Sequence, residues 1–158
     1  QNLSTFYRTS LSSDPLEEVT LAEEVELQQQ YLGIEAVRFP ERLRTRIEIA
    51  PELANERVPA LILQPLVENA IKYGVSRSTR PVTVSISATA SDGWMTIIVD
   101  DDGEDSPTKE HGNGIGLANV RDRLEARYGD SASLTKGRKP DGGYRATSVI
   151  PISPKDLA

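Results

Sequence analysis

The chain has 158 residues, a net charge of −6 and 37% apolar residues. That suits one globular domain with a modest core and excludes a broad nucleic-acid-binding or anionic-membrane surface. The absence of cysteine excludes disulfide scaffolds, thiolate metal sites and cysteine nucleophiles, and fits a reducing compartment.

The chain begins at Gln1 and is expected to be part of a longer protein. Its N-terminal residues do not read as a signal sequence, and no apolar run approaches the ~18 residues of a membrane span. Residues 2 to 11 can form a short helix with Leu3, Phe6, Tyr7 and Leu11 near one face, broken by Ser12-Ser13-Asp14-Pro15. Thr20 and Glu23 stand at capping-box spacing, so a helix is predicted from Leu21 to about Phe39, stopping at Pro40. Leu21, Val25, Leu32, Ala36 and Phe39 form one apolar stripe on it, and Leu27, Tyr31 and Ile34 a second. Two stripes imply two contacts, or one core met by an untidy pattern.

Alternation from Leu43 to Ile49 predicts a half-buried strand. Pro59 to Tyr73 follows, with a helix predicted over residues 61 to 73: Ile62, Leu63, Leu66, Val67, Ala70, Ile71 and Tyr73 fill one side, and Gln64, Pro65, Glu68, Asn69 and Lys72 the other. An acid, an amide and an ammonium within two turns can serve a hydrated cation and its phosphates, or simply make a solvated face with a Glu68 to Lys72 pair. After Pro81, Val82 to Ala88 and Trp94 to Val99 alternate on either side of Asp92-Gly93, which predicts an antiparallel hairpin. Leu117 to Tyr128 reads as an amphipathic helix stopped by Gly129, and residues 132 to 136 and 144 to 150 as a last hairpin. The sum is an α/β two-layer sandwich, with a mixed sheet of about five strands, helices on one face and a preceding helical segment.

Two further stretches carry chemistry. Asp100-Asp101-Asp102-Gly103 crowds three carboxylates at a strand end, where a buried one can accept a hydrogen bond from an exocyclic amine; a plain acidic turn is the alternative. Gly112-Asn113-Gly114-Ile115-Gly116 runs into the helix from Leu117, where free N–H groups can hold phosphate; a flexible linker is the alternative. It is neither a P-loop nor a dinucleotide fingerprint.

In this order the three stretches resemble the N box (Gln64 to Gly74), the G1 box (Asp101-Asp102-Gly103) and the G2 box (Gly112 to Leu117) of the Bergerat-fold ATPases. The QPLVENAIK and GIGLANVRDRL runs and Tyr128-Gly129 are closest to the LytS-like sensor histidine kinases. The resemblance implies that the chain binds ATP and ADP with Mg²⁺, and that Asn69 ligates the metal while Glu68 polarises a water or the attacking nucleophile. It implies that Lys72 reaches phosphate, Tyr73 lies against the adenine, and Asp101 accepts the adenine amino group with room left by Gly103. Gly112, Gly114 and Gly116, running into Leu117, become a lid over the phosphates, with Asn119 and Arg123 as weaker phosphate contacts.

The resemblance further implies a homodimer in the full-length protein, a response regulator as partner, no nucleic acid, a cytoplasmic domain, and a membrane link only through residues before Gln1. Residues 1–39 become the tail of a dimerisation and phosphoacceptor region with its connecting helix, and 40–158 the catalytic domain. The sole histidine, His111, is not assigned as acceptor, which is expected upstream. Asp105 replaces the usual second glycine of the G1 box. That makes a nucleotide-binding or dimerising module without catalysis a second reading, and a Bergerat-fold serine kinase or ATPase, with the same fold and another acceptor, is a third.

Overall fold

Thr20 opens the first long helix as its spacing predicts. Its hydroxyl accepts from Glu23 N at 3.1 Å while the Glu23 carboxylate accepts from Thr20 N at 2.9 Å. The structure, a computed structural model, describes residues 17–103 and 115–152. The helix expected over residues 2 to 11, Gly112, Gly114 and Asp105 lie outside them. The elements are β1 (Glu18–Thr20), α1 (Leu21–Arg38), β2 (Leu43–Ile49), β3 (Arg57–Pro59), α2 (Gln64–Asn69, continued by a π-helical turn Ala70–Val75), β4 (Val82–Ser91), β5 (Trp94–Asp101), α3 (Ile115–Tyr128), β6 (Ser133–Arg138) and β7 (Tyr144–Pro151).

The main sheet has five strands in the order β2-β4-β5-β7-β6, and β1 pairs separately with β3. β2 runs parallel to β4, from Leu43 opposite Val82 to Ile49 opposite Ala88, and every other pairing in the sheet is antiparallel, so the sheet is mixed as expected. Asp92 and Gly93 close the β4–β5 hairpin with φ of 54° and 83°, the left-handed pair that a tight hairpin turn needs. Period-two alternation puts Val82, Val84, Ile86, Ala88, Met95, Ile97, Val99 and Ile150 on one buried face. They share a single core with Leu21, Val25, Tyr31 and Leu32 of α1, Leu66 and Val67 of α2, and Leu117, Val120 and Leu124 of α3. Among the described residues no helix is long and apolar enough to cross a membrane.

Three expectations change. The helix read over residues 61 to 73 begins at Gln64, because Leu61 adopts a left-handed φ of 67° that no α-helix continues through. Its second half is π-helical, closed by Ser76 N donating to Ile71 O at 2.8 Å. Gln64, read as a polar-face residue, is buried and donates to Glu68 Oε2 at 2.9 Å. β5 runs two residues past Val99, so Asp100 and Asp101 are strand residues. The β1–β3 pair is too short to leave an alternating signature.

Candidate functional site

Strand geometry separates the three neighbouring acids. Asp100 points to the open face of the sheet, where Arg145 donates to it from Nε at 3.1 Å and Nη2 at 3.0 Å, with Lys139 Nζ at 3.9 Å. Asp102 accepts from Thr83 N at 2.7 Å, and its carbonyl accepts from Arg80 at 2.8 Å. Asp101 points the other way, into the core, and is 3% exposed.

The protein part around the Asp101 carboxylate is nearly side-chain free. Gly103 N donates to its Oδ1 at 2.9 Å. A Cβ added at Gly74 would stand 2.6 Å from its Cγ, one at Gly103 would stand 3.1 Å from Oδ1, and one at Gly143 would overlap its carbonyl oxygen. Burial pushes the Asp101 carboxyl up to about 6, with Asp100 and Asp102 adding to the rise; the Gly103 hydrogen bond and the Lys139 charge act against it. A buried carboxyl with one backbone donor keeps acceptor capacity for a ligand amine.

Leu66, Asn69, Ala70, Val99, Leu117, Lys136, Tyr144 and Ala146 line a cavity together with Asp101. The N box thus supplies Asn69 from the last residue of the α-helical part, and the N-terminus of α3 supplies Leu117. Gly116 belongs to the same corner: a Cβ there would stand 3.0 Å from Pro65 Cβ, so α3 starts hard against α2. Of the remaining expected site residues, Gly103 backs the carboxylate, while Glu68, Lys72, Tyr73, Asn119 and Arg123 do not line the cavity. Tyr73 is buried with Arg77 Cζ 4.8 Å and Lys72 Nζ 5.2 Å from its ring centroid. Burial pushes the Glu24 carboxyl up, against which the amides of Leu63 and Leu61 and the Arg123 charge act, and Arg123 Nη1 is buried with no hydrogen-bond partner among the described residues.

Sequence reasoning missed Lys136 and Tyr144. Tyr144 stands directly opposite Asp101 in the β5–β7 register and Lys136 opposite Ala146 in β6–β7. Their signal was the pairing partner, which becomes visible once the strand order is known.

The arrangement fits a purine nucleotide. An apolar slot ending on a buried acceptor suits a flat ring with an exocyclic amine, and Asn69 offers a neutral carbonyl to a cation. Among the described residues no three of His, Cys, Asp and Glu gather as a metal site. A divalent ion here would be held by Asn69 and by the phosphates that bring it, which is the usual habit of Mg²⁺.

Residues 54–154 match the family model of histidine kinase-, DNA gyrase B-, and HSP90-like ATPases, and residues 1–43 match that of histidine kinases. The chain is 38% identical over 151 residues to the sensor histidine kinase BtsS of Escherichia coli K12, covering 96% of this chain and 27% of that protein. It is 34% identical over 163 residues to the sensor protein LytS of Oceanobacillus iheyensis, covering 94% of this chain and 28% of that protein. The chain therefore spans about a quarter of the length of these relatives. Its fold superposes with a TM-score of 0.63, at 16% identity, on the histidine kinase domain of the Erythrobacter litoralis EL346 blue-light activated histidine kinase, covering 97% of this chain and 71% of that one.

Proposed function

Since the chain belongs to the histidine kinase-, DNA gyrase B- and HSP90-like ATPase family and carries the nucleotide-binding catalytic region of a sensor histidine kinase, we propose what it does in the longer protein. It moves the γ-phosphoryl group of ATP to a histidine and onward to an aspartate of a response regulator. In the first step the bond from the γ-phosphorus to the ADP oxygen breaks as a bond to a ring nitrogen forms. In the second the phosphoryl passes from nitrogen to a carboxylate oxygen. The acceptor is a histidine other than His111, in another part of the protein.

The observation that carries this reading is the Asp101 carboxylate, buried at the cavity beside Asn69 with Gly74 and Gly103 against it. Asp101 accepts the adenine amino group, and the apolar side chains of Leu66, Val99 and Leu117 hold the ring. Tyr144 gives the cavity its aromatic wall; Tyr73, outside the lining, acts as packing beside Gly74. Asn69 is the residue that would hold Mg²⁺, whose contribution when bound is to neutralise phosphate charge. Glu68 orients and polarises the nucleophile, and Lys72 brings a cation from the same helix. Gly112, Gly114 and Gly116 form the lid that leads into Leu117, with Asn119 at its margin. Positioning and charge neutralisation supply most of the catalysis in such a transfer. We assign the Arg123 charge to the surroundings of Glu24 rather than to phosphate.

Residues 1–39 are taken as the tail of the dimerisation and phosphoacceptor region with its connecting helix, which the histidine kinase match over residues 1–43 supports. The kinase works as a homodimer with this region in the cytoplasm, and any membrane link comes from another part of the protein. Calorimetric titration with ADP and a non-hydrolysable ATP analogue tests the reading. Saturable binding is expected, lost in Asp101→Asn; a folded wild-type chain that binds neither nucleotide refutes it.

A further inference from the structure

The segment that enters the N-box helix is held in a conformation it would not choose alone. Leu61, a residue with a full side chain, sits at φ 67°, a left-handed conformation that such residues disfavour. Leu63 stands at the N-cap of α2 without any side-chain cap from its own helix, and Pro65 in the first turn has no N–H to offer. Left-handed and right-handed residues in succession turn their N–H groups inward to make a concave nest for an anion.

The anion is Glu24. It projects from α1, 37 residues earlier in sequence, is 2% exposed, and accepts from Leu61 N at 3.1 Å through Oε1 and from Leu63 N at 2.9 Å through Oε2. One turn further along α1, Gln28 is fully buried and neither of its amide atoms has a partner. Gln28 adds no hydrogen bond to the hold of Glu24 on the loop. Burial raises the Glu24 carboxyl, and the two amides, with the Arg123 charge of α3 after them, act against that rise. Three elements that carry no common sequence motif meet at one group.

We propose that Glu24 is a positioning residue for the nucleotide site, fixing the start of the N-box helix so that Asn69 faces the cavity. Asn69 lies six residues beyond Leu63, and each residue of slip turns an α-helix by about 100°, enough to carry its carbonyl out of the cavity. Asp101 stands on β5 and Gly103 just beyond it, so the acceptor for the adenine amino group does not depend on Glu24, whereas Leu66 and Ala70, which line the same cavity, move with the helix. The proposal rests on the nucleotide reading above and assigns a role to a residue of the connecting helix.

The test is the ratio of ADP affinity with Mg²⁺ to that in EDTA, by calorimetry at a temperature where circular dichroism shows each variant folded. In Glu24→Gln the amide nitrogen would face a backbone N–H, and the ratio should fall by about tenfold, over and above any loss of affinity in EDTA through Leu66 and Ala70. Glu24→Asp, one methylene short, keeps the carboxyl group but reaches one amide, and should keep part of the ratio. Val25→Ala, which loosens the same helix without touching the loop, should keep all of it. Should Glu24→Gln not fold, Glu24→Asp decides: a ratio below wild type supports the role and an unchanged one overturns it. A ratio unchanged in Glu24→Gln, or lost equally in Val25→Ala, overturns it too. Wild type that binds no ADP in either buffer sinks the nucleotide reading and this role with it, whereas binding with an unmoved ratio sinks this role alone.

Discussion

Gly74 has no side chain because the Asp101 carboxylate occupies the place of one. Gly74→Ala forces Asp101 or the π turn to move; we expect nucleotide affinity to drop by more than about tenfold and stability by about 1–3 kcal/mol, read by ADP titration and urea unfolding. Asp101 itself gives a signed pH effect. Its carboxyl, raised from 3.8 to about 6 by burial, favours the protonated folded chain. Its contribution to the ligand-free protein is complete below about pH 4 and is lost as pH rises through about 6, worth about 3 kcal/mol relative to Asp101→Asn. Nucleotide affinity runs the opposite way, because the ionised acceptor makes the stronger bond to an amine: it should weaken by about tenfold as pH falls from 7.5 to 5. Asp101 was legible in the sequence because its motif is contiguous. The duties of Asp100 and Asp102 were not, since Arg145 and Thr83, which claim them, lie on neighbouring strands far away in the chain.

Local signals placed the start of α1 but neither the start nor the pitch of the N-box helix. The capping box at Thr20 and Glu23 is an i, i+3 device and appears where the spacing puts it; Thr20→Ala should cost about 1 kcal/mol in urea unfolding. The π turn at Ala70–Val75 has no comparable mark, and its far end is held by tertiary contacts. Arg42 donates to the carbonyls of Val75, at 2.8 Å, and of Ser78. Arg42→Ala leaves those carbonyls and the end of the helix dipole unanswered, and should lower stability by about 1–3 kcal/mol, visible as a drop in thermal midpoint. The two apolar stripes of α1 resolve differently from a plain amphipathic reading. Glu24, Gln28 and Glu35 are buried alongside Tyr31 and Leu32, so a polar band lies within the packed face. A hydrophobicity pattern cannot show that.

At the scale of the whole molecule, the two-layer α/β architecture and mixed sheet were legible, because each strand but β1 and β3 shows period-two alternation. The order of strands was not, since alternation fixes a face and leaves the neighbour open. α1 belongs to the same core as the sheet, so unfolding should be one cooperative event. Deleting residues 17 to 38 uncovers the faces against Leu21, Val25, Tyr31 and Leu32. The remainder should bind a hydrophobic dye and lose its sharp transition, whereas a remainder that melts sharply and stays dye-free would contradict a shared core.

The parallel pairing of β2 with β4 means that the N-box helix is a crossover, the connection between two strands that must lie side by side. Its closure spans residues 50 to 81, whereas β4 and β5 are joined by a two-residue turn. Longer closures cost more chain entropy before their contacts return anything, so the hairpin should form early and the crossover late. Kinetic φ-values near one are then expected in the β4–β5 hairpin and near zero in α2. The nucleotide, gripping what assembles last, should retard unfolding and leave the refolding rate nearly untouched.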